Sequence, residues 1–506
     1  MDKKVLRWNF IFQYGWVLTN VFNSLLLLPF YIKYIDINTL GVWLASSSIL
    51  GWMTMVDPGI GEVLQQKIAE LRGKNETGDI GKSIGSGLLS SAIILLLAAV
   101  VGLVFFFCLG FIINKDVSQY QNLPAALFIT VFATGLSLVS FTLTGINQGL
   151  HNSAQVAISS LTSNFLFLIV NLVFLFAGFG VMSIAIANLS RAIFMNVYNF
   201  VAMKRLLNRE IIAISFDVVY FKKFIRIFSF TSASKIMTGI SNSLDMVVLA
   251  RFISPGMITI YEINKRPLNL TNSLIGRHSV ALMPLISHTK GKGDNAAIVQ
   301  LINKQFRIYV YAAIFTAFMF LINYYDLITL WVGEGKYIGN QILFILVVAS
   351  FVNLLSYFMS NVGYALGDIK KNSSFNIIRS LIYAVMVFLA AKYYGIIGTA
   401  VVLLVTVLFI DVSYFSYRVY KLGFLPLSLI KYIGGQCLII VPAAAGATWI
   451  IHLFIKANIQ ANMYLAKLIT SSALFTTFYL VLLIFIDKGL RDLLKQYKNR
   501  LAVSLT

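Results

Sequence analysis

The sequence predicts an all-α polytopic membrane protein of about fourteen transmembrane helices, built as two six-helix parallel repeats plus two C-terminal helices. Three observations carry that reading. The chain has 506 residues, of which 58% are hydrophobic and only 12% charged, and its mean hydropathy is +0.83. A soluble globular chain carries about 25% charged residues, so this one has too few to keep a water-facing surface wet. Apolar runs of roughly 20 residues, each long enough to cross a hydrocarbon core about 30 Å thick, recur from end to end. Short sequence matches also recur at one fixed offset of 218 residues.

Taken in order between charged or Gly/Pro/Asn breaks, the runs are Phe10 to Tyr34, Leu40 to Gln65 (bent near Pro58), Ile84 to Ile113, Leu123 to Gln148, Val156 to Phe179 and Val181 to Met203. The second set is Phe224 to Ile253, Met257 to Ile286, Phe306 to Val332, Gly339 to Gly363, Phe375 to Tyr394 and Gly395 to Val419. Ser428 to Phe454 and Met463 to Ile486 complete the fourteen. The first run follows Lys3, Lys4 and Arg7 and continues without a small-residue cleavage site. It is too long for a signal-peptide core, so it is expected to be a retained span. The resulting divisions are 1–210, 211–424 and 425–506.

Lysine and arginine set the expected orientation. With a cytoplasmic N-terminus, 27 of the 40 fall on the inner side and seven on the outer side, with six inside spans. That asymmetry predicts cytoplasmic termini. The net charge of +21 then reports topology and attraction to anionic membrane lipids, and nucleic acid is not an expected partner. Cys108 and Cys437 stand far apart in apolar runs, and the four histidines form no metal motif. Disulfide and zinc chemistry are disfavoured, and no cofactor is expected.

The repeat pairs the Lys33 to Trp43 segment with Arg251 to Tyr261, Arg72-Gly-Lys74 with Lys290-Gly-Lys292, and Gly145 to Gly149 with Gly363 to Gly367. One offset at three places over roughly 120 residues indicates duplication. Six spans per repeat is an even number, so both repeats share one orientation and should be related by an axis along the membrane normal.

Ionisable residues within spans cost about 2.5 to 3.5 kcal/mol each at the bilayer centre, so they default to a functional reading. In the seventh run Lys235, Thr238, Asn242 and Asp245 fall at helical spacing. In the eighth, Glu262, Arg266, Asn269, Ser273 and Arg277 do the same, with Lys265 beside them and Pro267 as an expected kink. Such stripes persist in lipid only where they line water or protein. Lys235, Lys265, Arg266 and Arg277 are the candidate anion-binding residues, with Asp245 and Glu262 as organisers among them. Local ion pairing inside a bundle is the plainer alternative for Lys235 with Asp245 and for Glu262 with Arg266.

The first repeat replaces these charges with neutral groups. Gln13, Asn20 and Asn23, with Trp16 on the same side of the first run, form a candidate sugar-facing surface, although Asn and Ser also serve as helix-to-helix glue. Arg191 and Arg379 are weaker candidates, for which snorkelling to an interface is favoured slightly over a direct ligand role. Asp57 and Asp411 have no cation within one helical turn in sequence, which makes them the candidates for ion coupling. For Asp57 a cap or turn at Asp57-Pro-Gly59 is the simpler reading.

Leu40-Gly-Val-Trp-Leu44, Asp57-Pro-Gly-Ile-Gly61, Ser234-Lys-Ile236 with Ser243-Leu-Asp245, Leu249-Ala-Arg-Phe252 and Ile260-Tyr-Glu-Ile-Asn-Lys265, in that order along fourteen spans, resemble the polysaccharide-unit (O-antigen, Wzx-type) flippases. These belong to the multidrug/oligosaccharidyl-lipid/polysaccharide exporter superfamily. The resemblance covers essentially the whole chain and implies V-shaped bundles. It also implies a bacterial inner-membrane protein, not an enzyme, that moves undecaprenyl-pyrophosphate-linked glycan for O-antigen, capsule or exopolysaccharide synthesis by alternating access. A polysaccharide polymerase and chain-length machinery are the implied partners, and Lys235, Lys265, Arg266 and Arg277 match the family's cationic cavity. The alternatives are a cation-coupled multidrug or toxin extruder, disfavoured by the excess of basic over acidic residues, and an oligosaccharide polymerase or ligase. The latter would normally need a larger external loop than Asn114 to Asn122 or Lys456 to Asn462.

Overall fold

The computed structural model describes residues 3–57, 59–74, 76–226, 230–291, 293–487 and 491, and among these the chain is helical throughout with no strand. The first half contains α1 (Lys3–Tyr34), α2 (Ile37–Gly51), a 3₁₀ turn (Trp52–Val56), α3 (Ile60–Gly73), α4 (Thr77–Ile113), α5 (Leu123–Gly149), α6 (Ser153–Phe176), α7 (Met182–Arg209) and the short α8 (Val218–Arg226). The second half contains α9 (Phe230–Phe252), α10 (Pro255–Gly291), α11 (Asn295–Val332), α12 (Asn340–Ala365), α13 (Ile369–Val405), a π-helical turn (Thr406–Asp411), α14 (Val412–Lys421), α15 (Leu427–Asn458) and α16 (Tyr464–Ile486). Each of the fourteen apolar runs falls, over its described residues, on one of these helices, on part of one, or on two in succession; residues 227–229 of the seventh run lie outside the described residues. Eight helices among the described residues meet a length and hydropathy test for crossing a membrane. None of α7, α9 and α10 does, because polar residues interrupt their apolar surface.

The duplication reaches the helix boundaries. α1 ends at Tyr34 and α9 at Phe252; α2 begins at Ile37 and α10 at Pro255; α3 ends at Gly73 and α10 at Gly291; α4 begins at Thr77 and α11 at Asn295. All four pairs lie 218 residues apart. Asn38 even meets its own counterpart, its Oδ1 accepting the Gly256 N–H at 3.0 Å. Gly41 is required beside that contact, since a Cβ there would fall 1.9 Å from the Pro255 carbonyl oxygen.

Two expected bends resolve differently. In place of a bend near Pro58, the second run is interrupted outright: α2 stops at Gly51 and α3 restarts at Ile60, after Gly59 at φ +96°. Pro58 itself lies outside the described residues. Its repeat counterpart, α10, passes through Pro267 as one continuous helix, so the expected kink does not break it. The boundary expected between Tyr394 and Gly395 is present inside α13 as a single non-helical residue, Gly395, at φ +56°.

By compactness the chain divides into Met1–Thr259 with Ser373–Gly395, and Ile260–Asn372 with Ile396–Thr506. The repeat sets the divisions 1–210, 211–424 and 425–506 by a different criterion. In the first unit, asparagines tie helices together where apolar packing alone would leave register unspecified. Asn23 Nδ2 donates to the Asn164 carbonyl at 3.1 Å, Asn171 Nδ2 to the Tyr31 hydroxyl at 2.8 Å, and Asn147 Nδ2 to the Asn199 carbonyl at 2.9 Å. Arg72 clamps Glu210 through two hydrogen bonds of 3.0 and 2.6 Å. Beyond that clamp, Lys74 and Lys67 beside Glu70 hold its carboxyl below the usual range.

No apolar run marks the segment leading into α8. It lies along α4, where Gly81 and Gly85 leave room for the Ala213 and Ser215 carbonyls. The Ser86 hydroxyl both donates to the Asp217 carbonyl and accepts its N–H.

In the second unit, a buried polar cluster fastens the two additional helices. The Tyr311 hydroxyl bridges Gln436 Oε1 of α15 at 2.6 Å and Asp487 Oδ2, just past α16, at 2.7 Å. Arg307 reaches the same carboxylate at 3.5 Å. Further along, Ser471 donates to Asn323 Oδ1, and the Tyr479 hydroxyl donates to the Tyr311 carbonyl at 2.8 Å.

Candidate functional site

The α10 helix starts at Pro255, whose fixed φ suits a first helical turn, and one face of it is anchored firmly. Asn264 is fully buried. Its Nδ2 donates to the Lys336 carbonyl at 2.7 Å, its Oδ1 accepts the Ile338 N–H at 3.3 Å, and its own carbonyl accepts from the Tyr324 hydroxyl. Further along the helix, Gly276 lies against the Tyr357 ring, and Ser279 Oγ accepts from Asn361 Nδ2 at 2.8 Å. These contacts hold the rotation of α10 about its axis.

That rotation turns the polar stripe away from the packed face. Asn269, Ser273 and Arg277 are exposed, while Glu262, Lys265 and Arg266 are half-buried. The Lys265 ammonium sits 5.5 Å from the centroid of the buried Tyr261 ring, a cation-to-ring contact that suits a lysine in a low-dielectric setting. Arg266 and Arg277, eleven residues apart on this helix, are separated by roughly 16 Å at the usual rise. An elongated anionic head could meet both.

The stripe on α9 does not stay on one kind of surface. Asp245 is buried at 1% exposure, in line with buried Ser241 and Leu249, whereas Asn242 is exposed. Packing against the first-repeat helices sets this: Trp52 Nε1 donates to Ser243 Oγ at 2.8 Å, and the Met55 side chain fills the space above Gly239. The Lys235 side chain lies outside the described residues.

The neutral surface expected on α1 is drawn into helix packing at Asn23, through its bond to Asn164 of α6. Asn164 in turn donates to Thr19 at 2.9 Å. Asn20 is half-buried, and the side chains of Gln13 and Trp16 lie outside the described residues. Asp57 Oδ1 accepts the N–H groups of Gly59 and Ile60 at 3.0 and 3.1 Å, the local capping that short acidic side chains favour at turns. Asp411 is buried at 4% exposure at the end of the π-helical turn, a backbone feature often found at functional positions.

Of the two weaker arginines, Arg379 stacks 5.1 Å from the Tyr383 ring and Arg191 lies 5.1 Å from the Phe167 ring. Sequence reasoning missed Asn264, which reads as one more polar residue on an amphipathic stripe. It also missed the pairing of Asp368 with Arg418, whose partners are 50 residues apart.

The chain belongs to the polysaccharide biosynthesis protein family, whose model matches residues 16–290, more than half of its length. No curated protein matches. Among solved structures, the fold is similar to that of the lipid II flippase MurJ in an inward closed conformation, with a TM-score of 0.69 and 16% identity over 96% of this chain and 99% of that one. It is also similar to an inward-facing multidrug resistance MATE family transporter of the MOP superfamily, at 0.67 and 13% over 81% of this chain and 95% of that one. A single-substitution mutant of the Vibrio cholerae MATE transporter VcmN matches at 0.60 and 15% over 83% and 97%. The fold is therefore one shared with MurJ and the MATE transporters.

Proposed function

We propose that this protein is a flippase that moves undecaprenyl-pyrophosphate-linked oligosaccharide units across the bacterial inner membrane by alternating access, with both termini cytoplasmic. The observation that carries the reading is the face of α10 on which half-buried Arg266 lines up with exposed Asn269, Ser273 and Arg277. Cations and hydroxyl or amide groups at helical spacing suit a diphosphate joined to sugars. Such a head cannot cross hydrocarbon alone, because each unpartnered polar group there costs several kcal/mol. The family assignment supports a polysaccharide substrate. The MATE structures cover 81% and 83% of this chain and MurJ 96%, and the difference is comparable to the 425–506 segment.

In a strain lacking its own copy, Arg266→Gln and Arg277→Gln are expected to lower surface polysaccharide at least tenfold together, with membrane abundance of the protein unchanged. Full surface display in the double variant would overturn the reading. For ion coupling the proposal keeps Asp411, since both N–H acceptor bonds of Asp57 serve the start of α3. Asp411→Asn in reconstituted vesicles should abolish the stimulation of lipid-linked glycan transport by a proton gradient while leaving binding intact. Equal stimulation in the variant would remove Asp411 from that role.

A further inference from the structure

The first repeat contributes an arginine, Arg191, that forms no ion pair among the described residues and does not leave from the outward face of its helix. Arg191 lies nine residues into α7, about 13 Å along the helix. Ile193, Val197 and Phe200 mark the outward face of α7, with exposures of 47%, 59% and 46%. Arg191 precedes Ile193 by two residues, about 200° around the helix at 3.6 residues per turn. It therefore points to the opposite side, among half-buried Asn188, Met195 and Tyr198. A side chain reaching for the membrane surface would leave from the outward face.

Its partners are neutral. One guanidinium nitrogen, Nη2, donates to Asn188 Oδ1 at 3.3 Å, and the Phe167 ring of α6 supports the group at 5.1 Å. Among the described residues no carboxylate forms an ion pair with it. A guanidinium carries five donors in a planar fork, and one long bond to an amide leaves most of them available. An intramembrane cation is costly unless something compensates it. The ring and the amide fix its orientation without neutralising it.

We infer that Arg191 is an anion-recognition residue of the first repeat, and that its ligand is the diphosphate of a prenyl-linked cargo. This rests on the flippase reading above and adds to it a subsite within the first compact unit. Planar bidentate pairing is the geometry by which arginine recognises phosphate and carboxylate oxygens, and of these the prenyl-linked cargo carries phosphate. With α7 taken as the sixth span, the anion is delivered by the cargo, because ordinary lipid headgroups stay at the interface. A side chain that is only half-buried can be reached by such a head.

The test uses the purified full chain in neutral detergent, titrated with undecaprenyl pyrophosphate, undecaprenol and inorganic pyrophosphate, with binding followed by native mass spectrometry. Arg191→Gln is expected to weaken the pyrophosphate lipid about tenfold and to leave undecaprenol unchanged. Arg191→Lys should recover part of the loss. Phe167→Leu, which retains the charge and removes its support, should weaken binding about threefold and covers the case in which Arg191→Gln does not fold. Undiminished lipid binding in both Arg191→Gln and Phe167→Leu, or in the one that folds, would overturn the inference. If Arg266→Gln and Arg277→Gln still lose binding in that case, the flippase reading survives without it. If no variant differs from the parent, both fall. Displacement of the lipid by an equal concentration of inorganic pyrophosphate would identify a soluble anion as the ligand and would also overturn the proposal.

Discussion

Replacing Gly145 with leucine is expected to remove folded protein from the membrane almost completely. A Cβ at Gly145 would lie 2.1 Å from the Gly61 carbonyl oxygen and 2.7 Å from its Cα. The obstacle is therefore backbone of α3, which cannot change rotamer to make room. The seam continues on both sides: a Cβ at Gly61 would meet the Phe141 carbonyl oxygen at 2.5 Å, and one at Gly149 would meet Ile68 Cβ at 2.8 Å. Overpacking a core costs about 1 to 3 kcal/mol where side chains can adjust. With two backbones in contact the cost should exceed the top of that range, which is more than a hundredfold in the folding equilibrium. Gly446→Leu on α15 is the control, since nothing lies within 4 Å of its Cβ position. Size-exclusion of detergent extracts should show a monodisperse peak for the control and at least a tenfold loss of it for Gly145→Leu. Equal peaks would mean that α3 and α5 separate freely.

Much of this architecture is legible in the sequence, because in lipid the signal for a helix is length and apolarity, and both are local. The fourteen runs, the duplication and the break at Gly395 are all of that kind. What escapes a sequence reading depends on a neighbour. The interruption between Gly51 and Ile60 reads as a bend because Asp57-Pro-Gly59 is compatible with either a bend or a cap. Only the capping bonds to Gly59 and Ile60 decide it. Asn23 and Asn20 share a predicted face, yet Asn23 is drawn to Asn164, 141 residues away. Arg191 reads as a snorkelling residue because its distance from the span end is visible in sequence, while its direction requires knowing which side of α7 is covered. The stripe on α10 is readable as periodicity. That it faces away from the packed core follows from Asn264 and Gly276, whose roles emerge only when α11 and α12 are in place.

The second large effect is expected at Asp368. Its Oδ2 accepts from Arg418 Nε at 2.6 Å, and both side chains are only 9% exposed. The pair joins α14 to the turn between α12 and α13, and the Tyr414 hydroxyl adds a bond to the Lys371 carbonyl at 3.0 Å. Burying two charges costs several kcal/mol per ion, and their mutual attraction roughly repays it, so the net value of the intact pair is small. Removing one partner is a different matter, because the other charge stays buried without compensation. Asp368→Ala should therefore cost about 3 to 5 kcal/mol, seen as a large fall in detergent-extracted protein and in its thermal midpoint. Arg418→Met, which takes away the larger desolvation cost and keeps an apolar stem in place, should cost less. The decisive measurement is the double variant Asp368→Ala with Arg418→Met. If the loss in the first variant comes from the stranded guanidinium, the double variant will be more stable than Asp368→Ala alone, with a coupling of at least about 1.5 kcal/mol, in the range measured for contacting residues. Additive losses would show instead that Asp368 acts through the turn at the start of α13 and that the pair is only a spectator of the packing between α12 and α14.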